Sequence, residues 1–504
     1  MASRQARGIA RRPWFVFLLS WMALGAMSVL WAVTSPIGAS MDEPSHYIKA
    51  ASVVRGQLIG EPGARAQDRV VSVPETVAKT FNVECLAFRS DVTADCIAPF
   101  GSATKTVDVT TAAGLYNPTY YVLVGWPSLL DTGSSALYFM RFASAAVCSL
   151  FFAVSITFLS RLARPVLPVL AAIAVMTPTT IFLSGSVNPN AFEIATTAAF
   201  FSALLYAATS TRARGSDWWT AGALAVSGAL LANARGLSPA WLGLSVVIVA
   251  VSVGIVPFVK RVTRPPLVIA VGLVVVALGL ALVWIWKTNS LPAVGEYPGV
   301  GSTFGQGFVT MLSSTTDYLR QAIGVFGWLD SLAPTWVLVM YYVLLATITA
   351  YALIFTRPSR MWAALWVALA AFLFMPPLIQ ASTVTVSGYV WQGRYALPLV
   401  VMLVIMAAVA ASVRFSELPR SEARRLVVVV LAVTAVGQLV SVLTNLKRYV
   451  VGTSAEWDAF FSAAHWSPPF FVSSVWVVIC TLVTIFYLAV GLVITRRPAR
   501  SVAN

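Results

Sequence analysis

Apolar residues fill this chain in repeated runs, and the polar residues gather in the segments between them. Each run spans about 20 residues, which is the length a helix needs to cross ~30 Å of hydrocarbon. The pattern predicts an all-α polytopic membrane protein. Twelve spans are expected, at residues 14–35, 137–160, 165–184, 190–210, 217–233, 238–258, 266–286, 334–356, 361–381, 396–413, 425–444 and 472–494.

Composition agrees with that pattern. Hydrophobic residues make up 58% of the chain and charged residues only 11%, whereas soluble proteins carry about 25% charged residues. The formal net charge of +15 arises largely from short basic clusters between the apolar runs. Because cytoplasmic loops are enriched in Lys and Arg, the clusters predict the inner face and argue against nucleic acid as a partner. They lie near residues 4–12, 161–164, 212–214, 260–264, 357–360, 414–425 and 496–500.

The resulting topology places both termini in the cytoplasm, as residues 1–13 and a tail at 495–504. The first run is longer than the apolar part of a usual signal peptide and is expected to remain as an uncleaved span. Outer segments are predicted at 36–136, 287–333 and about 446–471, which separate spans 2–7 (137–286) from spans 8–12 (334–494).

The first outer segment contains two further features. Residues 115–130 are apolar but short, interrupted by prolines and rich in Tyr and Trp, which favours an interfacial or re-entrant helix. Cys85 and Cys96 lie in the same segment. In an oxidising compartment they are expected to form a disulfide, stabilising the loop by roughly 2–3 kcal/mol. Cys148 and Cys480 lie within apolar runs and are interpreted as core residues.

The strongest chemical signal follows the first span, where Asp42-Glu43-Pro-Ser-His46 precedes Lys49. A carboxylate at the membrane surface can act as a general base toward an acceptor hydroxyl. The same residues also suit the N-terminus of a helix. His46 and Lys49 follow at helical spacing, where they either support a base or phosphate, or are solvated interface residues.

Two polar turns are predicted on the outer face. Asn188-Pro-Asn190-Ala-Phe-Glu193 joins two spans and either lines a cleft or forms a turn and a helix cap. Arg235 occupies the next outer turn, where it either contacts a phosphate or extends toward the interface.

Two aromatic motifs complete the set of candidates. Trp328 and Asp330 precede a span and suit either a sugar platform or an aromatic belt with a helix cap. Arg394 stands between aromatic residues in Trp391-Gln392-Gly-Arg394-Tyr395. Its guanidinium suits bidentate phosphate binding, and the alternative is an interfacial anchor.

Together these motifs resemble a bacterial family of integral membrane proteins, domain-of-unknown-function family 2142, over roughly residues 15 to 495. The motifs that carry the resemblance are Asp42-Glu43-Pro-Ser-His46, Asn117-Pro-Thr-Tyr, Asn188-Pro-Asn190, Gly327-Trp-Leu-Asp330 with Pro334, and Gln392-Gly-Arg394-Tyr395 with Pro398. The layout of that family is similar to the GT-C superfamily of membrane glycosyltransferases. The resemblance implies a GT-C-like helical bundle, a catalytic acid in the first outer loop and a polyprenyl-phosphate-linked sugar donor.

Under that resemblance Asp42 is the expected base, with Glu43 as alternate. The donor phosphate is assigned to His46, Lys49, Arg235, Arg394 and Tyr395. The substrate groove is assigned to Tyr116, Asn117, Asn188, Asn190, Glu193, Trp328, Asp330, Trp391 and Gln392. The scheme requires no metal, although Asp42 and Glu43 together can hold a divalent cation such as Mg²⁺ or Mn²⁺.

The expected acceptor is a glycan or glycolipid of the cell envelope. The site would face outward from the cytoplasmic membrane, and the composition resembles that of actinobacterial proteins. Two alternatives remain open. One is a transporter or flippase of a lipid-linked sugar, although charges within spans are scarce and no broken helices are evident in matching halves. The other is a polymerase that joins glycan repeat units from a diphosphate-linked donor.

Overall fold

The computed structural model describes residues 12–102, 105–210, 217–291 and 297–496. Within these residues nine helices are long and apolar enough to cross a membrane. They are Pro13–Thr34, Ser134–Ser160, Pro189–Thr209, Pro265–Thr288, Thr335–Phe355, Arg360–Ser387, Gly393–Glu417, Arg420–Val451 and Ser473–Ile494. The predicted all-α polytopic membrane architecture is therefore confirmed.

Two further apolar stretches are bent rather than straight. Val166–Val175 and Pro178–Ser184 meet at 68°, and Ser238–Val253 and Ile255–Val262 meet at 115°. At the first bend Gln438 donates to the carbonyl of Met176 at 2.8 Å. A free carbonyl is costly inside a membrane protein, so this hydrogen bond helps to satisfy the broken helix.

Counting each bent pair as one span gives eleven spans in the described part of the chain, against twelve expected. The remaining predicted run, 217–233, forms the helix Asp217–Ala232 of 16 residues. At 1.5 Å per residue such a helix is about 24 Å long, which is shorter than the ~30 Å hydrocarbon core.

The sixth predicted span, 238–258, ends earlier than expected. Its helix stops at Val253, and Gly254 turns the chain with a φ of +93°. The following helix, Ile255–Val262, buries none of its residues and carries Lys260 and Arg261 in its last turn. The basic clusters at 4–11, 212–214 and 497–500 lie outside the described residues, and the predicted sidedness stays a prediction.

The outer segments contain small elements of their own. The first folds into helices Glu43–Val53 and Glu75–Ala78, 3₁₀ turns Lys79–Cys85 and Ala94–Cys96, and an antiparallel sheet of Glu61–Pro62, Arg69–Pro74 and Thr106–Thr111. The second contains helices Phe304–Ser313 and Thr315–Gly324 and the hairpin Val325–Phe326 with Ser331–Leu332, and the third contains helix Trp457–Ser462. The three-stranded sheet is not among the predicted elements, although the alternation in Thr106-Val-Asp-Val-Thr is typical of a strand.

The 115–130 segment forms two short helices, Thr119–Gly125 and Pro127–Leu130. Tyr120 and Tyr121 are buried against the protein, while Leu130 is 78% exposed. One buried face and one exposed apolar face suit an interfacial element, although its place in the membrane stays a prediction. The disulfide between Cys85 and Cys96 is present.

Two helices occupy the middle of the bundle. The apolar stretch of Pro189–Thr209 is entirely buried by other helices and that of Gly393–Glu417 almost entirely. The loops that precede these two helices contact each other through their side chains. The two helices therefore begin at the same end of the bundle. Those loops carry several of the candidate residues.

Candidate active site

Side chains from four distant segments meet at one end of the bundle. Asp42 forms an ion pair with Arg394, and Arg235 pairs with Glu193 at 3.2 Å. The Arg235 guanidinium also stacks on the ring of Tyr395 at 4.6 Å. The predicted outer loops therefore converge on one cluster, which we call the Asp42–Arg394 site.

Asp42 lies at the bend between the first outer turn and helix Glu43–Val53. Its φ is +63°, a conformation that is uncommon for residues other than glycine and is often found at functional positions. The preceding residue is fixed on both sides, since Met41 N donates to Gly327 O at 3.0 Å and Asn188 Nδ2 donates to Met41 O at 3.2 Å. The Asp42 side chain is still 48% exposed, so an acceptor can reach it.

The surroundings of Asp42 favour its ionised form. Burial of the carboxyl acts to raise its pKa, but the positive charges of Arg394 and Arg235 oppose this effect. The net result is a pKa below the usual value for aspartate. Asp42 is therefore a carboxylate at neutral pH.

Glu43, the alternate base of the sequence-based assignment, is placed differently from Asp42. Its carboxylate is fully buried and accepts two hydrogen bonds from Arg141, at 2.8 and 2.6 Å. It also accepts the backbone N–H of Val187 at 2.9 Å. Because both oxygens are engaged away from solvent, Glu43 is a structural anchor.

His46 lies beside the site but is a neutral, buried side chain. Its Nδ1 is 2.9 Å from the hydroxyl of Tyr121, and its ring packs 5.7 Å from that of Tyr116. Burial lowers the pKa of His46 to about 3, assisted by Arg394 and Arg235 against the opposing effect of Asp42. His46 can thus orient its neighbours, but it supplies no positive charge for a phosphate.

Lys49 is directed away from the site, contrary to its predicted role in phosphate binding. Its Nζ donates to the carbonyls of Leu58 and Gly114, both at 2.5 Å. These contacts join the helix to the sheet of the first outer segment. Burial lowers the pKa of Lys49 to about 7.

The two arginines of the site keep unused hydrogen-bond donors. Neither Arg394 Nε nor Arg235 Nε has a hydrogen-bond partner among the described residues. Tyr116 hydrogen-bonds Arg235, although burial outweighs this contact and raises the tyrosine pKa. Two buried guanidiniums with free donors form a ready anion-binding site.

A close approach of two helices places Arg394 at the site. A Cβ on Gly393 would lie 2.1 Å from the carbonyl of Tyr318, so only glycine fits there. The backbone N–H of Gly393 donates to Gln321 Oε1 at 2.9 Å. Helix Gly393–Glu417 can therefore begin directly against helix Thr315–Gly324.

A small, open cavity lies beside Arg394. Its walls include Ser40, Met41, Thr179, Gln321, Gln392 and Arg394. Ser40 Oγ and Gln392 Oε1 are buried there without a hydrogen-bond partner in the described part of the chain. Such unsatisfied groups favour the interpretation of the cavity as a ligand site.

A small apolar groove lies along the same two elements. Its walls include Met311, Tyr318, Leu319, Phe372, Pro376 and Trp391. Trp391 directly precedes Gln392, which lines the cavity. The structure thus places a mainly apolar groove next to a cationic cavity.

Several other residues predicted to line the groove have structural roles. Asn188 caps helix Pro189–Thr209 by accepting from Asn190 N at 3.0 Å, and both residues are buried. Asn117 donates to Asn233 Oδ1 at 2.9 Å. Glu193 accepts a 2.6 Å hydrogen bond from Ser238 and positions Arg235 behind the site.

Asp330 also differs from the prediction. It pairs with Arg448 at 2.9 Å and is almost fully buried, so it holds the outer segments together. Trp328 next to it is partly exposed, with its indole N–H donating to Gly38 O at 3.2 Å.

Arg141 and Arg448 are the important residues that sequence analysis missed. Arg141 is a lone arginine within an otherwise apolar helix, and Arg448 follows Lys447 at the end of another; charges at such positions are functional or structural by default. That signal was sufficient to select both residues. The partner of Arg141 was not predictable, because Glu43 is 98 residues from Arg141 along the chain.

Within the described residues no group of three or more His, Cys, Asp or Glu side chains is arranged to hold a metal ion. Glu43, half of the predicted cation pair, is engaged by Arg141. Divalent-cation binding at Asp42 stays a prediction.

A search of curated proteins gave no match. Among solved structures the chain is similar to ArnT from Cupriavidus metallidurans bound to undecaprenyl phosphate, with 13% sequence identity and a TM-score of 0.47. That similarity covers 95% of this chain and 76% of the ArnT chain. Residues 26–403 match the family described as predicted membrane protein DUF2142. The chain belongs to this family.

Proposed function

We propose that the protein is a membrane glycosyltransferase that uses a polyprenyl-phosphate-linked sugar as donor. The observation that carries the proposal is the Asp42–Arg394 site, where a partly exposed carboxylate meets a buried guanidinium beside a polar cavity and an apolar groove. The acceptor is a hydroxyl of a glycan or glycolipid of the cell envelope. The site faces outward from the cytoplasmic membrane.

Arg394 and Arg235 would bind the donor phosphate. Both are largely buried, and a charge-assisted hydrogen bond gains strength where water is excluded. Their unpartnered Nε groups supply further donors for that phosphate. As the sugar leaves, the same donors would stabilise the negative charge that develops on the phosphate.

The apolar groove would hold the part of the polyprenyl chain nearest the phosphate. Most of its wall is aliphatic or aromatic, and its Trp391 directly precedes Gln392 of the cavity. A lipid bound there would present its phosphate toward Arg394. The arrangement matches the amphipathic shape of the proposed donor.

Asp42 would act as the general base. The acceptor oxygen attacks the anomeric carbon, its proton passes to the Asp42 carboxylate, and the bond from the anomeric carbon to the phosphate oxygen breaks. Polyprenyl phosphate departs with the bonding electron pair. Attack opposite the leaving group inverts the anomeric configuration.

Donor binding would also free the base. In the unliganded structure Arg394 contacts the Asp42 carboxylate, which lowers the proton affinity of Asp42. A phosphate that engages Arg394 competes for the same guanidinium. The carboxylate would then become more basic when donor is present.

The test is sugar transfer by purified full-length protein in nanodiscs, with a panel of polyprenyl-phosphate sugars and short glycan acceptors. We expect wild type to transfer sugar and Arg394→Ala to lose donor binding. Arg414→Ala is the matched control, because Arg414 is on the same helix but forms an exposed pair with Glu417.

A different outcome would favour the alternative function. If no donor supports transfer, and the protein instead moves lipid-linked sugar across the bilayer of proteoliposomes, the transferase proposal is wrong. The protein would then be a transporter of that lipid.

A further inference from the structure

An exposed aromatic pair lies near the Asp42–Arg394 site, outside the residues assigned above to the donor. Phe88 and Trp328 meet edge to face, with ring centroids 5.6 Å apart and planes inclined by 66°. Phe88 is 67% exposed, and Trp328 is partly exposed. We call Phe88 and Trp328 the aromatic corner.

The backbone holds both sides of the corner in unusual conformations. Phe88 has a φ of +61°, and Leu329, which follows Trp328, has a φ of +63°. A bulky residue rarely adopts a positive φ, and such outliers cluster at binding sites. Exposure of a large aromatic side chain adds a second cost, since water is a poor solvent for the ring.

The loop that carries Phe88 is anchored on several sides. Arg448 donates to the carbonyls of Leu86, Arg89 and Val92 at 3.0, 2.9 and 2.8 Å. The Cys85–Cys96 disulfide closes the same loop. Arg448 also pairs with Asp330, whose other carboxylate oxygen accepts the backbone N–H of Trp328. One arginine therefore fixes both rings of the corner relative to each other.

The corner is continuous with the cavity. Gly327 and Leu329, the neighbours of Trp328, both line the cavity that contains Arg394. The Trp328 indole donates to Gly38 O, four residues before Asp42. A molecule that rests on the aromatic corner is thus held at the edge of the cavity beside the base.

We infer that the aromatic corner binds a sugar ring of the glycan acceptor. The C–H bonds on one face of a sugar ring carry partial positive charge and stack on the electron-rich face of an aromatic ring. An exposed arginine, Arg89, follows Phe88 and can donate hydrogen bonds to sugar hydroxyls. The inference rests on the proposed function for its acceptor, and it adds Phe88 and Arg89 to Trp328 as the residues that select this acceptor.

The experiment is equilibrium binding of a panel of short glycans, without donor, to full-length protein in nanodiscs. We expect Phe88→Ala to weaken binding about tenfold, and Phe88→Trp to retain it. Phe470→Ala is the matched control, because Phe470 is also exposed, at 81%, and has a φ of +77°. We expect that variant to bind as wild type does.

Two results would overturn the inference: wild type binds no glycan of the panel, or Phe88→Ala binds as tightly as wild type. Failure of the proposed function has a different signature. In that case glycan binding would still depend on Phe88, while no donor would support transfer and Arg394→Ala would not change donor binding.

Discussion

Asp42 and Glu43 are adjacent carboxylates that each pair with an arginine of the helical bundle, yet their surroundings differ. Arg141 uses all five of its N–H donors, two on Glu43 and three on the carbonyls of Ala32, Ser35 and Pro36. Glu43 is in turn fully buried. The pair fixes the turn that leads from the first span into the site.

The pair of Asp42 and Arg394 is incomplete. Nearly half of the Asp42 side chain is exposed, and Arg394 Nε has no partner among the residues described. A fully satisfied pair stabilises the fold, whereas one with free donors and solvent access remains available to a ligand. This difference in exposure and pairing makes Glu43 an anchor and leaves Asp42, the preceding residue, available to a ligand.

Removing Arg141 tests the anchor and should have the largest effect on stability. Arg141→Met leaves Glu43 as a buried, unpaired charge, which typically costs about 3–5 kcal/mol. We expect a large loss of thermal stability in detergent. Arg414→Met should change stability little, because its ion pair with Glu417 is exposed. Equal melting temperatures for the two variants would contradict the anchor role of Arg141.

Arg394→Lys tests the open pair. Lysine keeps the charge but lacks the planar fork and the Nε donor. We expect a polyprenyl phosphate, the leaving group of the proposed reaction, to bind about tenfold more weakly, since a hydrogen bond to a charged group contributes roughly 1.5–3 kcal/mol. Binding is measured in nanodiscs by titration. Unchanged affinity would show that the free donor is not used for phosphate.

His46 provides a smaller, pH-dependent test of the same region. Its pKa is about 3 in the folded protein, below the ordinary value of 6.5. Between these values the unfolded chain binds a proton that the folded chain does not, so stability falls as the pH falls. The free energy of unfolding is therefore lower at pH 5.5 than at pH 7 by about 1.2 kcal/mol from this group.

His46→Gln removes that contribution because glutamine does not titrate. We expect the melting temperature of wild type to decrease more than that of His46→Gln between pH 7 and pH 5.5. Parallel decreases in the two proteins would contradict the buried, neutral state of His46.

Much of this arrangement could be predicted from the sequence. Apolar runs gave the helix positions, because the length of a spanning helix is set by the bilayer. Asp42, Arg235 and Arg394 stood out as charges next to long apolar segments. The structure brings all three into one cluster.

The roles of Glu43 and Lys49 could not be predicted from the sequence. Sequence spacing places both near Asp42 on one helix, but their partners come from elsewhere in the chain. Glu43 meets an arginine 98 residues away and Lys49 a carbonyl 65 residues away. Burial and long-range pairing decide such roles, and neither is encoded in local periodicity.

The central claim is that Asp42 is the catalytic base and that Glu43 is an anchor. It is tested most directly by comparing Asp42→Asn with Glu43→Gln for sugar transfer and for thermal stability in the same preparation. We predict that Asp42→Asn loses about 10²- to 10⁴-fold in turnover while keeping the wild-type melting temperature and at least the wild-type donor affinity. Glu43→Gln should primarily lower the melting temperature. Full turnover by a folded Asp42→Asn protein would contradict the account.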